Sequence, residues 1–296
     1  MMEVHVLASG SDGNCTVVEC DGEAVVVDAG LSCRTLMSYM DREGVDPKMI
    51  KAILVTHEHA DHVKGVGPMA RRLDVPVMCT LGTFQASQMG SVEYIPYDLR
   101  DCFSVGPFRV VPLPTYHDAA EPNAFFIETD KGKLAMVTDT GKFDYRIEHA
   151  LKSCDAAVVE ANYDLEMLHN GPYPPSLQRR IEGDHGHMWN RDTGMALKRT
   201  MSDARKIFLA HLSRTNNEPD VARETVADIT GVRRLKIDCL EFQGDTRTFK
   251  VKGRRRPPSR CLSGPRPSSS AWSRRPPSGA CSPSQARRTP AGLPAP

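Results

Sequence analysis

Seven residues, Thr56-His57-Glu58-His59-Ala60-Asp61-His62, follow a short apolar run, Ala52-Ile53-Leu54-Val55, and precede a stretch with helical spacing. An apolar run bounded in this way reads as a buried strand, which puts the seven residues on a loop at a strand's carboxyl end. Open α/β sheets keep their chemistry there. Three imidazoles and a carboxylate crowded together repel one another and lose solvation in a folded site unless a shared cation compensates them. His57 and His59, two apart on an extended segment, point the same way and can hold one ion, while Asp61 and His62, turning into the helix, reach a second. The competing reading is a His-rich exposed loop in which Asp61 merely caps a helix.

The rest of the chain is compatible with a domain built around that loop. With 296 residues, 40% of them hydrophobic, it can bury a sizeable core. No apolar run reaches the length of a membrane helix, and the N-terminus enters a strand-like segment without a basic-then-apolar leader, so the expectation is a cytoplasmic protein with no membrane partner. Nine Cys without a Cys-x-x-Cys pair suggest buried thiols in a reducing compartment rather than a disulfide frame. The net charge of +1 conceals an asymmetry: residues 252–296 carry ten Lys or Arg and no acid, leaving residues 1–251 with 28 basic against 37 acidic groups. That tail is crowded with Pro, Ser and Arg, lacks apolar periodicity and is expected to be disordered. The domain division is therefore 1–251 and 252–296.

Residues 4–8, 15–20 and 24–28 read as strands, the last two joined by an Asp21-Gly22 hairpin. The turn Ser9-Gly10-Ser11-Asp12-Gly13-Asn14 is rich in small hydrogen-bonding residues that can cradle a phosphate, which makes Ser11 and Asn14 candidate substrate contacts. A helix over 31–43, the strand 51–56, and a further strand and helix within 76–89 follow. Strands near 108–113, 123–128 and 133–138 come next, then a helix over 143–151. Asp139 at the end of a strand can cap that helix, and Gly141 is expected to make the turn.

His57-x-His59-x-Asp61-His62, with Gly65 in the next turn, resembles the hallmark of the metallo-β-lactamase superfamily. The resemblance implies a four-layer αββα sandwich (an α+β, α/β-type architecture) with a one- or two-metal site along one edge of the sheets. It adds His117, Asp139 and His211 as further ligands, each at a strand end. One metal would then take His57, His59, His117 and Asp139, and the other Asp61, His62, Asp139 and His211. Asp28 would brace the loop through hydrogen bonds. The ligand types favour two divalent ions, Zn2+ first, with Mn2+ or Fe2+ open.

Two further segments, Val158-Val159-Glu160-Ala161-Asn162-Tyr163-Asp164 and Gly186-His187-Met188-Trp189-Asn190, resemble the layout of RNase Z, in which a Glu and a His opening the next helix relay a proton to the leaving group. Carried over, these are Glu160 and His187. Ser9 to Asn14, His117-Asp118-Ala119-Ala120-Glu121-Pro122, Asn170-Gly171-Pro172-Tyr173-Pro174 and Ala210-His211-Leu212-Ser213 are similar to the YycJ/WalJ (VicX) branch, which implies 5′-to-3′ DNA exonuclease activity. Met188-Trp189 departs from that branch's Leu-Ser. Only 22 residues separate His117 from Asp139 and 72 separate Asp139 from His211, so neither a tRNA-gripping arm nor a large cap domain fits, and the mouth should be open.

The implied chemistry is phosphodiester hydrolysis, with Asp61 orienting or deprotonating the attacking water and His187 protonating the leaving alkoxide. Tyr173, Arg179, Arg180 and His185, in the insertion 165–187, are candidate contacts to a nucleic-acid strand, DNA ahead of RNA, or else a solvated helix face. The acidic body sits awkwardly with a polyanion, which keeps a small-molecule ester, thioester or lactone hydrolase as the alternative. A third reading makes the chain a nucleic-acid-binding protein acting through Arg254-Arg255-Arg256. The abrupt change in composition reads equally as an extension without function.

Overall fold

The computed structural model describes residues 1–200, 206–240 and 245–253. The expectation of disorder in the tail and the Arg254-Arg255-Arg256 cluster lie outside the described residues. Two seven-stranded sheets form among those described. The first takes β1 (Met2–Ala8), β2 (Cys15–Cys20), β3 (Glu23–Val27), β4 (Ile50–Leu54), β5 (Val77–Cys79) and β6 (Tyr94–Pro96). The second takes β7 (Phe103–Val105), β8 (Phe108–Pro114), β9 (Asn123–Glu128), β10 (Lys133–Val137), β11 (Ala156–Glu160), β12 (Lys206–Ala210) and β13 (Ile237–Cys239). The last strand, β14 (Arg247–Val251), returns to the first sheet and pairs antiparallel with β1. Sequence order is thus spatial order in each sheet, with that one exception.

Alternation along the strands builds the layers. In β3, Val25 and Val27 point between the sheets, whereas Ala24 and Val26 point to the outer side, where α1 (Cys33–Glu43), α2 (Ala60–Val63), α3 (Val66–Leu73) and α4 (Leu81–Ala86) follow in the chain. In β11, Ala156 and Val158 join the inter-sheet core, and Ala157 and Val159 face the layer of α5 (Tyr145–Ser153). The remaining helices are α6 (Leu165–Asn170), α7 (Pro175–Glu182), α8 (Asn190–Thr200) and α9 (Pro219–Thr230), of which α8 and α9 also pack on the second sheet. Three apolar layers between four structural layers make the αββα sandwich the sequence leads one to expect. Each Val so buried contributes about 1.5–3 kcal/mol. Asp21 and Gly22 both take positive φ, +52° and +82°, as a two-residue hairpin between β2 and β3 requires.

The topology also fixes where chemistry can sit. Strands β3, β4 and β5 are parallel, as are β10, β11 and β12, and the segments leaving β3, β4, β10, β11 and β12 meet along one edge. The local geometry narrows two readings of this stretch. Helix α5 begins at Tyr145 and is capped by Asp144, whose carboxylate accepts from the N–H groups of Arg146 and Ile147, so Asp139 is no cap. Gly141 lies at a bend without positive φ, and a Cβ there would lie 2.4 Å from the carbonyl oxygen of Asp184, so the residue is also small to admit a neighbouring loop.

Candidate metal centre

Asp28 leaves β3 and braces the loop that follows β4. Its Oδ1 accepts from the Thr56 N–H, and its Oδ2 accepts from the Thr56 hydroxyl and from His62 Nδ1, each at 2.8 Å. The Thr56 oxygen, having donated its proton, is left to accept from His57 Nδ1 at 3.0 Å. His117 Nδ1 donates to the carbonyl of Gly186 at 3.2 Å, and His211 Nδ1 donates to Glu160 Oε1 at 3.0 Å. Four imidazoles thus have a protein acceptor for Nδ1–H, so that in the neutral form each presents the Nε2 lone pair a metal ligand needs.

The ligand atoms converge in groups. His57, His59 and His117 form one; Asp61, His62 and His211 another; within each, the atoms lie within 4.8 Å of one another. Asp139 stands between them, with Oδ2 at 3.3 Å from His62 Nε2 and Oδ1 at 3.4 Å from His211 Nε2 and 3.9 Å from His117 Nε2. His57 Nε2, His211 Nε2 and Asp139 Oδ2 are buried without a hydrogen-bond partner. Orphaned buried polar atoms are costly, and here three of them belong to one cluster of nitrogen and oxygen donors. A divalent cation fits that donor set.

Electrostatics divides the cluster. Burial, reinforced by the neighbouring His62, holds the His57 imidazole well below its usual pKa, and burial lowers His117 as well. Burial acts in the same direction on His62 and His211, but the carboxylates of Asp139, Asp28 and Asp61 outweigh it for the first. Asp139, Asp61 and Glu160 do so for the second, so both stand well above the usual range. Burial in turn opposes ionisation of Asp139 and Asp61, yet the surrounding imidazoles, His211 and His62 foremost, keep both carboxyls below the ordinary range. Asp28, Asp139 and His211 all adopt left-handed φ, +58°, +57° and +55°, at strand ends. Such strain in non-glycine residues persists only where the surroundings over-determine it.

The two residues expected to relay a proton lie in hydrogen-bond contact. Glu160 is fully buried at the end of β11; its Oε1 accepts from His187 Nδ1 at 2.7 Å and its Oε2 from the Thr140 N–H at 3.0 Å. The imidazoles of His187 and His211, again against burial, hold the Glu160 carboxyl below its usual range. His187 does not open a helix. It precedes α8, which starts at Asn190, and sits on an extended segment whose Trp189 bridges to Tyr163, with Met188 buried and its carbonyl accepting from Asn162 N–H.

A cavity of about 320 Å³ opens over the cluster. Ser11, Tyr173 and Arg180 line it together with His187. Arg180 is engaged by Asp118, which accepts from its Nε at 2.7 Å. Arg179 and His185 do not line this cavity; on α7 the residue beside Arg180 is rotated about 100° away. Asn14 does not line this cavity either; it is buried, its Nδ2 reaching Asp61 Oδ2 at 3.3 Å and His62 Nε2 at 3.0 Å, so its side chain braces the loop. Two residues to which the sequence assigns no bracing role are Ser9, whose hydroxyl accepts from the His211 N–H at 3.0 Å, and Asn162, which donates to the His211 carbonyl at 2.8 Å. Common polar residues at strand ends carry no signal of such a role.

Gly30 shows how tightly the loop is seated. A Cβ at this position would lie 1.6 Å from the Asp61 carbonyl oxygen. Gly30→Ala is expected to destabilise the fold by about 1–3 kcal/mol and to displace Asp61, so that metal content falls with stability. Thermal unfolding with and without added metal checks this, and wild-type values in both would show that the loop is not held this way.

Known proteins are similar to this chain. A model of the β-lactamase superfamily domain matches residues 23–212. The exodeoxyribonuclease YycJ of Bacillus anthracis is 40% identical over 235 residues, 77% of this chain and 89% of that protein. The exodeoxyribonuclease WalJ of Streptococcus pneumoniae is 33% identical over 231 residues, 75% and 86% of the two. Among solved structures, the metallo-β-lactamase fold protein YhfI from Bacillus subtilis superposes with a TM-score of 0.64 at 16% identity, covering 84% of this chain and 99% of that one, which speaks to the fold alone.

Proposed function

The chain belongs to the metallo-β-lactamase superfamily, and on that premise we propose that it is a dinuclear-metal hydrolase of nucleic-acid phosphodiesters, acting as a 5′-to-3′ DNA exonuclease in the cytoplasm. The observation that carries the reading is the pairing of two convergent ligand groups with a separate Glu160–His187 relay on the wall of the same cavity. The names of YycJ and WalJ support the substrate. One ion would be held by His57, His59, His117 and Asp139, the other by Asp61, His62, Asp139 and His211. Nitrogen and carboxylate donors favour zinc. Bound there, the cations would supply Lewis acidity toward a phosphoryl oxygen and offset the charge of the acidic body.

The chain's own residues do the rest. Asp61, held ionised 3.4 Å from His62 Nε2, is the acceptor for a proton of the attacking water. His187 gives its Nδ1–H to Glu160, which leaves Nε2 to carry a proton to the departing oxygen. Tyr173 and Ser11 border the strand on the cavity wall. No helix among the described residues is long and apolar enough to cross a membrane.

The test uses protein purified without added ions. Its metal content is measured, and it is then assayed on 5′-phosphorylated DNA, on RNA of the same sequence, and on a panel of lactones and thioesters. Two divalent ions per chain and stepwise release of mononucleotides from DNA are expected. Turnover of a lactone or thioester without DNA cleavage would reassign the site to small-molecule hydrolysis.

Residues 1–251 are proposed to hold the whole activity. The residues that line the cavity all fall between Ser11 and Ser213, and Val251 ends the chain's last described strand opposite Met2. Deletion after Val251 is expected to leave the rate constant for DNA hydrolysis unchanged; a loss measured on that truncated chain would give the tail a part in substrate capture.

A further inference from the structure

A second cavity, of about 190 Å³, shares Ser11, Tyr173 and Ser213 with the catalytic one. Three serines and a threonine (Ser9, Ser11, Ser213 and Thr215) line it together with Tyr173, Arg214, Asp12 and Gly10. Its donors are set up for an anion. Ser9 Oγ accepts from the His211 N–H at 3.0 Å and Ser213 Oγ accepts from the Asn216 N–H at 3.1 Å, so each hydroxyl keeps its own proton to give. Arg214 supplies the positive charge and faces Asp12 Oδ2 at 2.8 Å, with both side chains about half exposed, at 51% and 50%.

The floor of this cavity is tied to the metal loop. The Gly10 N–H donates to Asn14 Oδ1 at 3.0 Å, while Asn14 Nδ2 reaches Asp61 Oδ2 at 3.3 Å. Ser9 is bound to His211 by the contact just described. An occupant of the small cavity is therefore held at a fixed offset from the reacting centre. Its volume, about 190 Å³, corresponds to about six water molecules and accommodates a phosphate group.

We propose that this cavity receives the terminal 5′-phosphate of the strand being cleaved, with Arg214 exchanging Asp12 for the phosphate; the inference rests on the nucleic-acid reading above. Asp12 makes the site selective. A terminal phosphate monoester carries about −1.5 to −2 charges at pH 7 and displaces the Asp12 carboxylate from Arg214, whereas an internal diester carries a single charge and competes poorly. The two adjoining cavities then take successive phosphates of one strand, and the enzyme reads the end of its substrate.

The experiment compares kcat/KM on one DNA strand bearing either a 5′-phosphate or a 5′-hydroxyl, using the metal-loaded full chain. The wild type is expected to prefer the phosphate. Arg214→Gln should lower the ratio by about ten- to a hundredfold, the loss of one charge-assisted hydrogen bond. Asp12→Asn should raise it by about two- to fivefold, because a half-exposed ion pair that competes for Arg214 is removed. A wild-type ratio of one, or an unchanged ratio in both variants, overturns the proposal. If neither strand is cut, the nuclease reading fails and the cavity is judged by titration. Binding of thymidine 5′-monophosphate but not thymidine, weakened in Arg214→Gln, upholds a phosphate site, while equal binding of the two overturns it.

Discussion

Asp139→Asn is expected to leave a folded chain that has lost most of its metal and hydrolyses DNA at least about 10³-fold more slowly, the rate equivalent of several kcal/mol of transition-state stabilisation. The substitution keeps the shape of the side chain and a residue type that tolerates the left-handed conformation Asp139 occupies at φ +57°. What it removes is the charge. Asp139 Oδ1 and Oδ2 stand 3.4 Å from His211 and 3.3 Å from His62, so one carboxylate serves both halves of the site. A neutral amide cannot balance two divalent ions. It also leaves His62 and His211 in full burial with less of the negative charge that now offsets it. The readouts are metal equivalents per chain, turnover, and the rise in melting temperature on adding metal, which reports binding to the folded state. An Asp139→Asn protein with two ions per chain and undiminished turnover would sink the assignment.

How much of this could be read from the chain depends on how local each signal is. The loop from His57 to His62 was legible because its imidazoles and Asp61 lie within six residues and its strand is a plain apolar run. The parallel strands that deliver Asp139, Glu160 and His211 were legible for the same reason: Val158-Val159 and Phe208-Leu209 are buried on both faces and read as continuous apolar segments. The short edge strands β7 and β13, of three residues each, carry no such run. Pairing of β14 with β1 joins residues about 250 apart, a contact no window of sequence contains. The same limit explains the polar braces. Ser9, Thr56 and Asn162 are ordinary residues until the fold sets them against His211, His57 and Asp28. Arg179 and Arg180 differ only in the helix face they occupy, and α7 has too few turns for periodicity to tell which one meets the cavity.

His187→Ala is expected to slow DNA hydrolysis by about 10²- to 10⁴-fold, the range for loss of a general acid, while the chain keeps its full complement of metal. The argument turns on which nitrogen is free. Glu160 Oε1 accepts from His187 Nδ1 at 2.7 Å and from His211 Nδ1 at 3.0 Å, and the Thr140 N–H fixes the other carboxylate oxygen, so the Glu is locked and the His187 tautomer with it. His187 Nε2 is then the atom left to exchange protons, on a side chain 22% exposed on the cavity wall, unlike His211, almost fully buried at 2%. The rival reading is specific: Asp139, Glu160, His187 and His211 also place ligand atoms within 4.8 Å of one another and could hold an ion themselves. Two measurements separate them. A ligand's loss lowers metal content together with rate, whereas a proton donor's loss lowers rate alone. A proton donor also matters in proportion to the basicity of the departing oxygen, so His187→Ala should cost far less on a p-nitrophenyl phosphodiester, whose leaving group departs without a proton, than on DNA. Equal losses on the two substrates, or metal lost in step with activity, would make His187 a ligand or a structural residue and leave the leaving group to be protonated by water.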